Sequence, residues 1–157
     1  MQTITALSAR KMVAEIKKRR ISACELTGAH LERIEKINPT VNSICTLNPD
    51  AVTDAQDIDK RLAASEPSRP LEGVPYLVKD NLLTKGLRTT FGSRLFDDFV
   101  PEEDSVVVER MRSAGAVLIG KTNTPEFGAG AHTFNEVFGM TRNPWDLTKS
   151  AGGSSGG

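Results

Sequence analysis

Two short apolar runs constrain this chain more than any other feature. "VPYLVKD", 74 to 80, and "AVLIG", 116 to 120, are each too short for a helix, and charge or turn formers bound them. Runs of this length and composition read as buried strands. Between them, residues 105–113 carry a helical pattern, and Gly115 stands where a left-handed C-terminal cap belongs. A strand, a connection that includes a helix and a second apolar strand form the signature of a parallel βαβ unit. The expected class is α/β.

The N-terminal part is helical by pattern. Ser8 is placed to cap a first helix whose Ala9, Met12, Val13 and Ile16 share one face. Ser22 and Glu25 make a capping box for a second helix, which Asn38-Pro39 is expected to stop. "VNSICTL", 41 to 47, reads as a strand. Asn48 and Pro49 follow as a cap and first helical residue, leading into a third helix from Ala51 to Ala63. Asp104 is the expected cap of the 105–113 helix. Residues 84–103 and most of the chain after Thr124 read as irregular. Long loops after strands are where α/β proteins place their chemistry.

Charge narrows the partners. Lys plus Arg is 20 and Asp plus Glu is 20, so the formal net charge is zero and there is no electrostatic case for nucleic acid or an anionic membrane. No apolar run approaches the ~20 residues needed to span a bilayer. The first residues, "MQTITALSARK", carry no signal-peptide pattern, so a reducing, cytoplasmic setting is expected. Cys24 and Cys45 lack metal-ligand spacing and are expected to be buried thiols. No metal or organic cofactor is implied.

"GAVLIGKT", Gly115 to Thr122, fits the Walker A expression letter for letter. Its context does not fit. A P-loop needs a loop between its glycines and a helix after its lysine, whereas here a strand fills the interval and Pro125 follows. Backbone N–H groups committed to a sheet cannot cradle phosphates. Lys79 is the odd residue of the first strand. It either reaches solvent or is a desolvated amine able to act as a base. The last residues, "SAGGSSGG", have the composition of a linker, yet glycines permit close backbone approach and a serine hydroxyl can pass a proton.

Several blocks together carry a family resemblance: "LEGVPYLVKDN", "LRTTFGSRLF", "DSVVVERMRSAGAVLIGKTNTPEF", "TRNPWD" and "AGGSSGG". In this order they resemble the amidase signature family, strongly from Leu71 to Gly157 and more loosely upstream. The resemblance implies an incomplete amidase-signature fold. N-terminal helices are followed by part of a mixed β-sheet with helices on its faces. Residues 1–70 would be the helical entry segment and 71–157 the start of the core of a single domain.

The resemblance also implies a Ser–cis-Ser–Lys triad. Lys79 would be the base, Ser154 the cis-serine that relays the proton, and Ser155 a support for the lysine. Phe127, Gly128 and His132, in "FGAGAHTFN", would line the acyl side of the substrate pocket. His132 stands outside the triad, and a structural role weighs against that pocket role. The family's nucleophilic serine comes in a later Gly/Ser-rich stretch, so residues 1–157 are expected to be inactive alone and to need the remainder of the domain.

Three functions stay open. The first is part of an amidase that converts a small-molecule amide to acid plus ammonia or amine, with a homodimer possible for the complete enzyme. The second is part of the glutamine-hydrolysing component of a tRNA-dependent amidotransferase, which would hand ammonia to a partner without touching nucleic acid directly. "GAGAHTFNEVFG" favours the first of these two. The third is a non-enzymatic α/β module with a Gly/Ser linker tail.

Overall fold

The computed structural model describes residues 3–154 and 156. After a 3₁₀ turn at Ile4–Ala6, helix α1 (Ala9–Lys17) starts on Ser8, whose hydroxyl accepts the Lys11 N–H. Helix α2 (Ala23–Val41) starts on Ser22 with the reciprocal capping box to Glu25. Strand β1 (Ile44–Leu47), helix α3 (Ala51–Ala63), strand β2 (Pro75–Lys79), helix α4 (Val106–Ser113) and strand β3 (Val117–Thr122) follow. Two small hairpins come last: β4 (Phe134–Asn135) with β5 (Gly139–Met140), and β6 (Arg142–Asn143) with β7 (Asp146–Ser150).

The main sheet has the order β1-β3-β2. β2 runs parallel to β3, as the βαβ pattern requires, and β1 runs antiparallel on the other side, so the sheet is mixed. Alternation along β3 divides its apolar side chains between two layers. Val117 and Ile119 pack with Ala23, Ala51, Ala55 and Ile58 of α2 and α3. Leu118 packs with Val78, Leu87 and Val108 of α4. Helices therefore cover both faces. Gly120 sits where β1 crosses closest, since a Cβ there would lie 2.4 Å from the Thr46 carbonyl oxygen.

Glu72, fully buried, joins the helical part to the sheet. Its carboxylate accepts from the Arg69 backbone N–H at 2.6 Å, from the Arg69 guanidinium at 2.7 Å and from Arg61 at 3.1 Å. Burial alone would raise this carboxyl. The Arg69 hydrogen bonds and the charges of Arg69 and Arg61 outweigh it and hold the carboxyl below its ordinary value.

Four local expectations are corrected. Pro39 lies inside α2, which runs on to Val41 and ends on Asn42 in the left-handed region (φ 53°). Only the last turn remains there, so a single backbone donor is lost, and the Asn38 side chain ties down the chain as it leaves the helix. Its oxygen accepts the Ser43 and Ile44 N–H groups and its amide donates to the Ile44 carbonyl, each at 2.8 Å. Asn48 does not cap α3; Asp50 holds that position. Asn48 is drawn to the sheet, its side-chain amide donating to the Leu118 carbonyl at 2.8 Å. The cap of α4 is Ser105, and Asp104 instead accepts the Lys85 N–H at 2.7 Å. The Walker-like segment is strand from Val117 to Thr122, as its composition requires. Cys24 and Cys45 are free and only half-buried, although burial lifts the Cys45 thiol to about 12.

Candidate active site

β2 delivers Lys79 to the carboxyl end of the sheet. There its Nζ donates to the backbone carbonyl of Ser154, and the contact joins segments 75 residues apart. The Gly153–Ser154 peptide is cis. Desolvation lowers the pKa of Lys79 from the ordinary lysine value. Lys79 reaches Ser154 through this carbonyl rather than through the hydroxyl that the relay role invokes. Ser155 lies outside the described residues.

A backbone ladder places the serine segment. Gly153 N–H donates to the Ala131 carbonyl at 2.6 Å, Thr133 N–H to the Ala151 carbonyl at 3.0 Å, and Ala151 N–H to the Thr141 carbonyl at 2.8 Å. His132 and Gly152 form an antiparallel bridge. The two glycines before Ser154 differ in their surroundings. A Cβ on Gly152 would meet nothing within 4 Å, whereas one on Gly153 would sit 2.5 Å from the Gly130 carbonyl oxygen. Gly156 is tighter still, with a Cβ there 2.0 Å from the Asn123 carbonyl oxygen and φ at +88°. At Gly153 and Gly156 the chain is threaded against other backbone, which a free linker would not be.

The candidates from "FGAGAHTFN" separate. Gly128 lies with Lys79: a Cβ on it would be 2.9 Å from Asn81 Nδ2 and 3.7 Å from Lys79 Nζ. Phe127 is exposed, with its ring edge-on to Phe96 at 6.2 Å. His132 accepts or donates at Nδ1 to the Ser150 hydroxyl at 3.0 Å. It also lines an open cleft of about 620 Å³ with Arg94, Glu126, Phe134 and Glu136. That cleft is walled by the segments 93–95, 125–126, 129–132 and 134–136, and Lys79 is not part of its wall.

Beneath these residues lies a polar layer that sequence reasoning missed. Lys121 and Asp80 are both fully buried, 3.7 Å apart. Asn123 donates to Thr141 Oγ1 at 3.0 Å, and Asn135 donates to the Asn123 side-chain oxygen at 2.7 Å, which ties the 133–141 hairpin to the end of β3. The available signal was a lysine closing an otherwise apolar strand in "AVLIGKT". Among the described residues, no group of three or more His, Cys, Asp or Glu is arranged to hold a metal. Nor is any described helix long and apolar enough to cross a membrane.

Comparison with known proteins agrees on one family. The family model described as Amidase matches residues 25–157. The A subunit of glutamyl-tRNA(Gln) amidotransferase from Acidothermus cellulolyticus is 45% identical over 158 aligned residues, covering 100% of this chain and 31% of that protein. The protein of the same name from Prochlorococcus marinus (strain MIT 9313) is 49% identical over 144 residues, covering 91% of this chain and 30% of the other. Among solved structures, a bacterial aryl acylamidase of the amidase signature enzymes superposes with a TM-score of 0.92 at 32% identity, over 97% of this chain and 32% of that one. The peptide amidase of Stenotrophomonas maltophilia superposes with a TM-score of 0.90 at 32% identity, over 96% and 32%. The chain thus spans about a third of the length of these relatives. With its mixed sheet, and with a family match that takes in both the Lys79 strand and the Gly/Ser segment, the chain belongs to the amidase signature family.

Proposed function

We propose that this chain forms the lysine-bearing part of an enzyme that hydrolyses a carboxylic amide to acid and ammonia or amine, with Lys79 as the base. One observation carries the reading: Lys79, drawn below the ordinary lysine range by desolvation, meets the backbone of Ser154. A neutral amine has two N–H donors and one lone pair. It can therefore keep its bond to the Ser154 carbonyl and still take a proton. On this reading, the Ser154 hydroxyl relays that proton from an attacking serine, and Ser155 supports the lysine. The attacking serine belongs to a second Gly/Ser-rich stretch, for which the longer relatives have room. The protonated lysine then returns the proton to the leaving nitrogen, and water releases the acyl group. Gly128 borders the base, and His132 faces the neighbouring cleft. The proposed setting is the cytoplasm.

A second reading is favoured by the curated relatives, which are named as amidotransferase A subunits and reach 49% identity. The same chemistry would then release ammonia from glutamine for a partner protein. The test uses the protein as its gene encodes it. Ammonia release is measured from glutamine and from simple aryl and alkyl amides, with and without co-purified partners, for wild type and Lys79→Met. Loss of nearly all turnover in the folded variant is expected. Turnover that survives in Lys79→Met refutes the base assignment. A requirement for partners decides for the amidotransferase reading, and partner-free hydrolysis of simple amides decides for the stand-alone amidase.

A further inference from the structure

We propose that Lys121 is a positioning residue: in a buried ion pair with Asp80, it holds the end of β2, and so Lys79, at one place. The proposal rests on the reading of Lys79 as base. Hydrogen-bond bookkeeping assigns the form of Lys121. Its Nζ lies 2.6 Å from the Leu82 carbonyl, 3.2 Å from Thr84 Oγ1 and 2.5 Å from Thr89 Oγ1. Both threonine hydroxyls already donate their single proton, Thr84 to the Leu82 carbonyl and Thr89 to the Leu87 carbonyl, each at 3.0 Å. Each hydroxyl can therefore only accept from the lysine. With the Leu82 carbonyl, the three acceptors use all three protons of an ammonium.

The charge is balanced by Asp80, which makes its own ties. Asp80 Oδ2 accepts from Thr90 Oγ1 at 2.6 Å and from Thr90 N–H at 3.1 Å, while its Oδ1 has no hydrogen-bond partner and meets the ammonium only as an opposite charge 3.7 Å away. The other ionisable groups that act on Lys121 are the neutral Cys45 thiol of β1 and Asp104, which precedes α4. Burial draws Lys121 down to about 8, against the pull of Asp80, so at neutral pH it keeps its proton.

The pair grips both ends of the loop that follows the base. Lys121 fastens Leu82, Thr84 and Thr89 to β3, and Asp80 fastens Thr90 to the residue after Lys79. From there, Phe91 N–H donates to the Asp80 carbonyl at 3.0 Å, and Phe127 N–H donates to the Phe91 carbonyl at 2.7 Å. The turn that carries Gly128 to Lys79 hangs from the same anchor. The pair thus holds the loop that leaves Lys79 at both of its ends, Leu82 and Thr84 at one and Thr89 and Thr90 at the other.

The test has arms that do not depend on turnover. In protein labelled with ¹⁵N-lysine, Lys121 should give a slowly exchanging ammonium signal at neutral pH, absent from Lys121→Met. No such signal in wild type overturns the assignment. The ¹³Cε titration of Lys79 should move to higher pH in Lys121→Met, because Asp80 is left unbalanced beside it, and should move back in Lys121→Met/Asp80→Asn. A midpoint that stays put reduces Lys121 to a structural role and overturns the proposal. In the full-length enzyme, kcat of folded Lys121→Met should fall by about 100-fold, the loss that a misplacement of about 1 Å brings. KM should change less. If kcat stays within twofold while Lys79→Met is dead, the positioning role is refuted. If Lys79→Met keeps its turnover, the base reading has failed, and the two spectroscopic arms still decide the state of Lys121. Should Lys121→Met not fold, Thr89→Val removes one acceptor and leaves both charges. Its kcat should fall by about tenfold, the worth of one hydrogen bond to a charged group, and an unchanged kcat overturns the proposal.

Discussion

The glycines before Ser154 allow a sharp test of how the serine segment is held. Replacing Gly153 with alanine places a methyl 2.5 Å from the Gly130 carbonyl oxygen, 3.0 Å from the Ala131 carbonyl carbon and 3.1 Å from the His132 nitrogen. Contacts under 3.0 Å are essentially never made by a real Cβ, so the two backbones must part by at least half an ångström. All three obstacles are main chain, so no side chain can rotate away. The movement stretches the 2.6 Å bond from Gly153 to Ala131. Overpacking of this kind costs about 1–3 kcal/mol. Replacing Gly152 with alanine adds a methyl to open space and should cost under about 0.5 kcal/mol, as at ordinary surface positions. The ladder lies late in the chain and can open locally, so amide exchange is the proper readout. For a cost of about 2 kcal/mol, exchange at Thr133, Ala151 and Gly153 should speed up about 30-fold in Gly153→Ala. Gly152→Ala should match wild type. Equal protection in both variants would show that the 131–133 backbone does not hold the serine segment, and the geometric case for the site would fall.

Two further outcomes follow from the core. Glu72→Gln should cost about 2 kcal/mol at neutral pH, below the usual figure for a broken buried pair because Arg69 and Arg61 are partly solvated. Since the Glu72 carboxyl is held below its ordinary value, its contribution is present above about pH 4.5 and is lost as pH falls through its folded pKa. Urea melts of wild type and variant should therefore converge in acid, and a gap that is independent of pH refutes the ion-pair account. Gly120→Ala drives a methyl to 2.4 Å from the Thr46 carbonyl oxygen and should cost about 1–3 kcal/mol, or about 2–4 °C of melting temperature for each kcal/mol in a chain of this length. An unchanged melting temperature would mean that β1 does not cross β3 there.

Local chemistry was legible wherever a short stretch decided the outcome. Ser8 caps α1, Ser22 and Glu25 close their box, α3 runs from Ala51 to Ala63, and the two apolar runs become parallel neighbours. Each of these depends on residues within a turn or two, or on alternation along one strand. The errors arose where a distant partner competed for a local group. Asn48 was claimed by the Leu118 carbonyl of β3 and Asp104 by the Lys85 N–H.

The candidate site divides along the same line. Residue types alone left Lys79 and the Gly/Ser segment ambiguous, and it was the family resemblance of the blocks around them that singled them out. Sequence could not show that Lys79 meets the carbonyl of Ser154, that Gly153 is crowded and Gly152 free, or that Phe127 points to solvent beside Phe96. Nor did composition distinguish Lys121 from any other lysine after a strand. These properties come from chain crossings between segments tens of residues apart, and only packing sets which backbone passes over which. Burial is a property of that packing. It turns one lysine into a solvated surface charge and another into a fully enclosed ammonium with an oxygen for each proton.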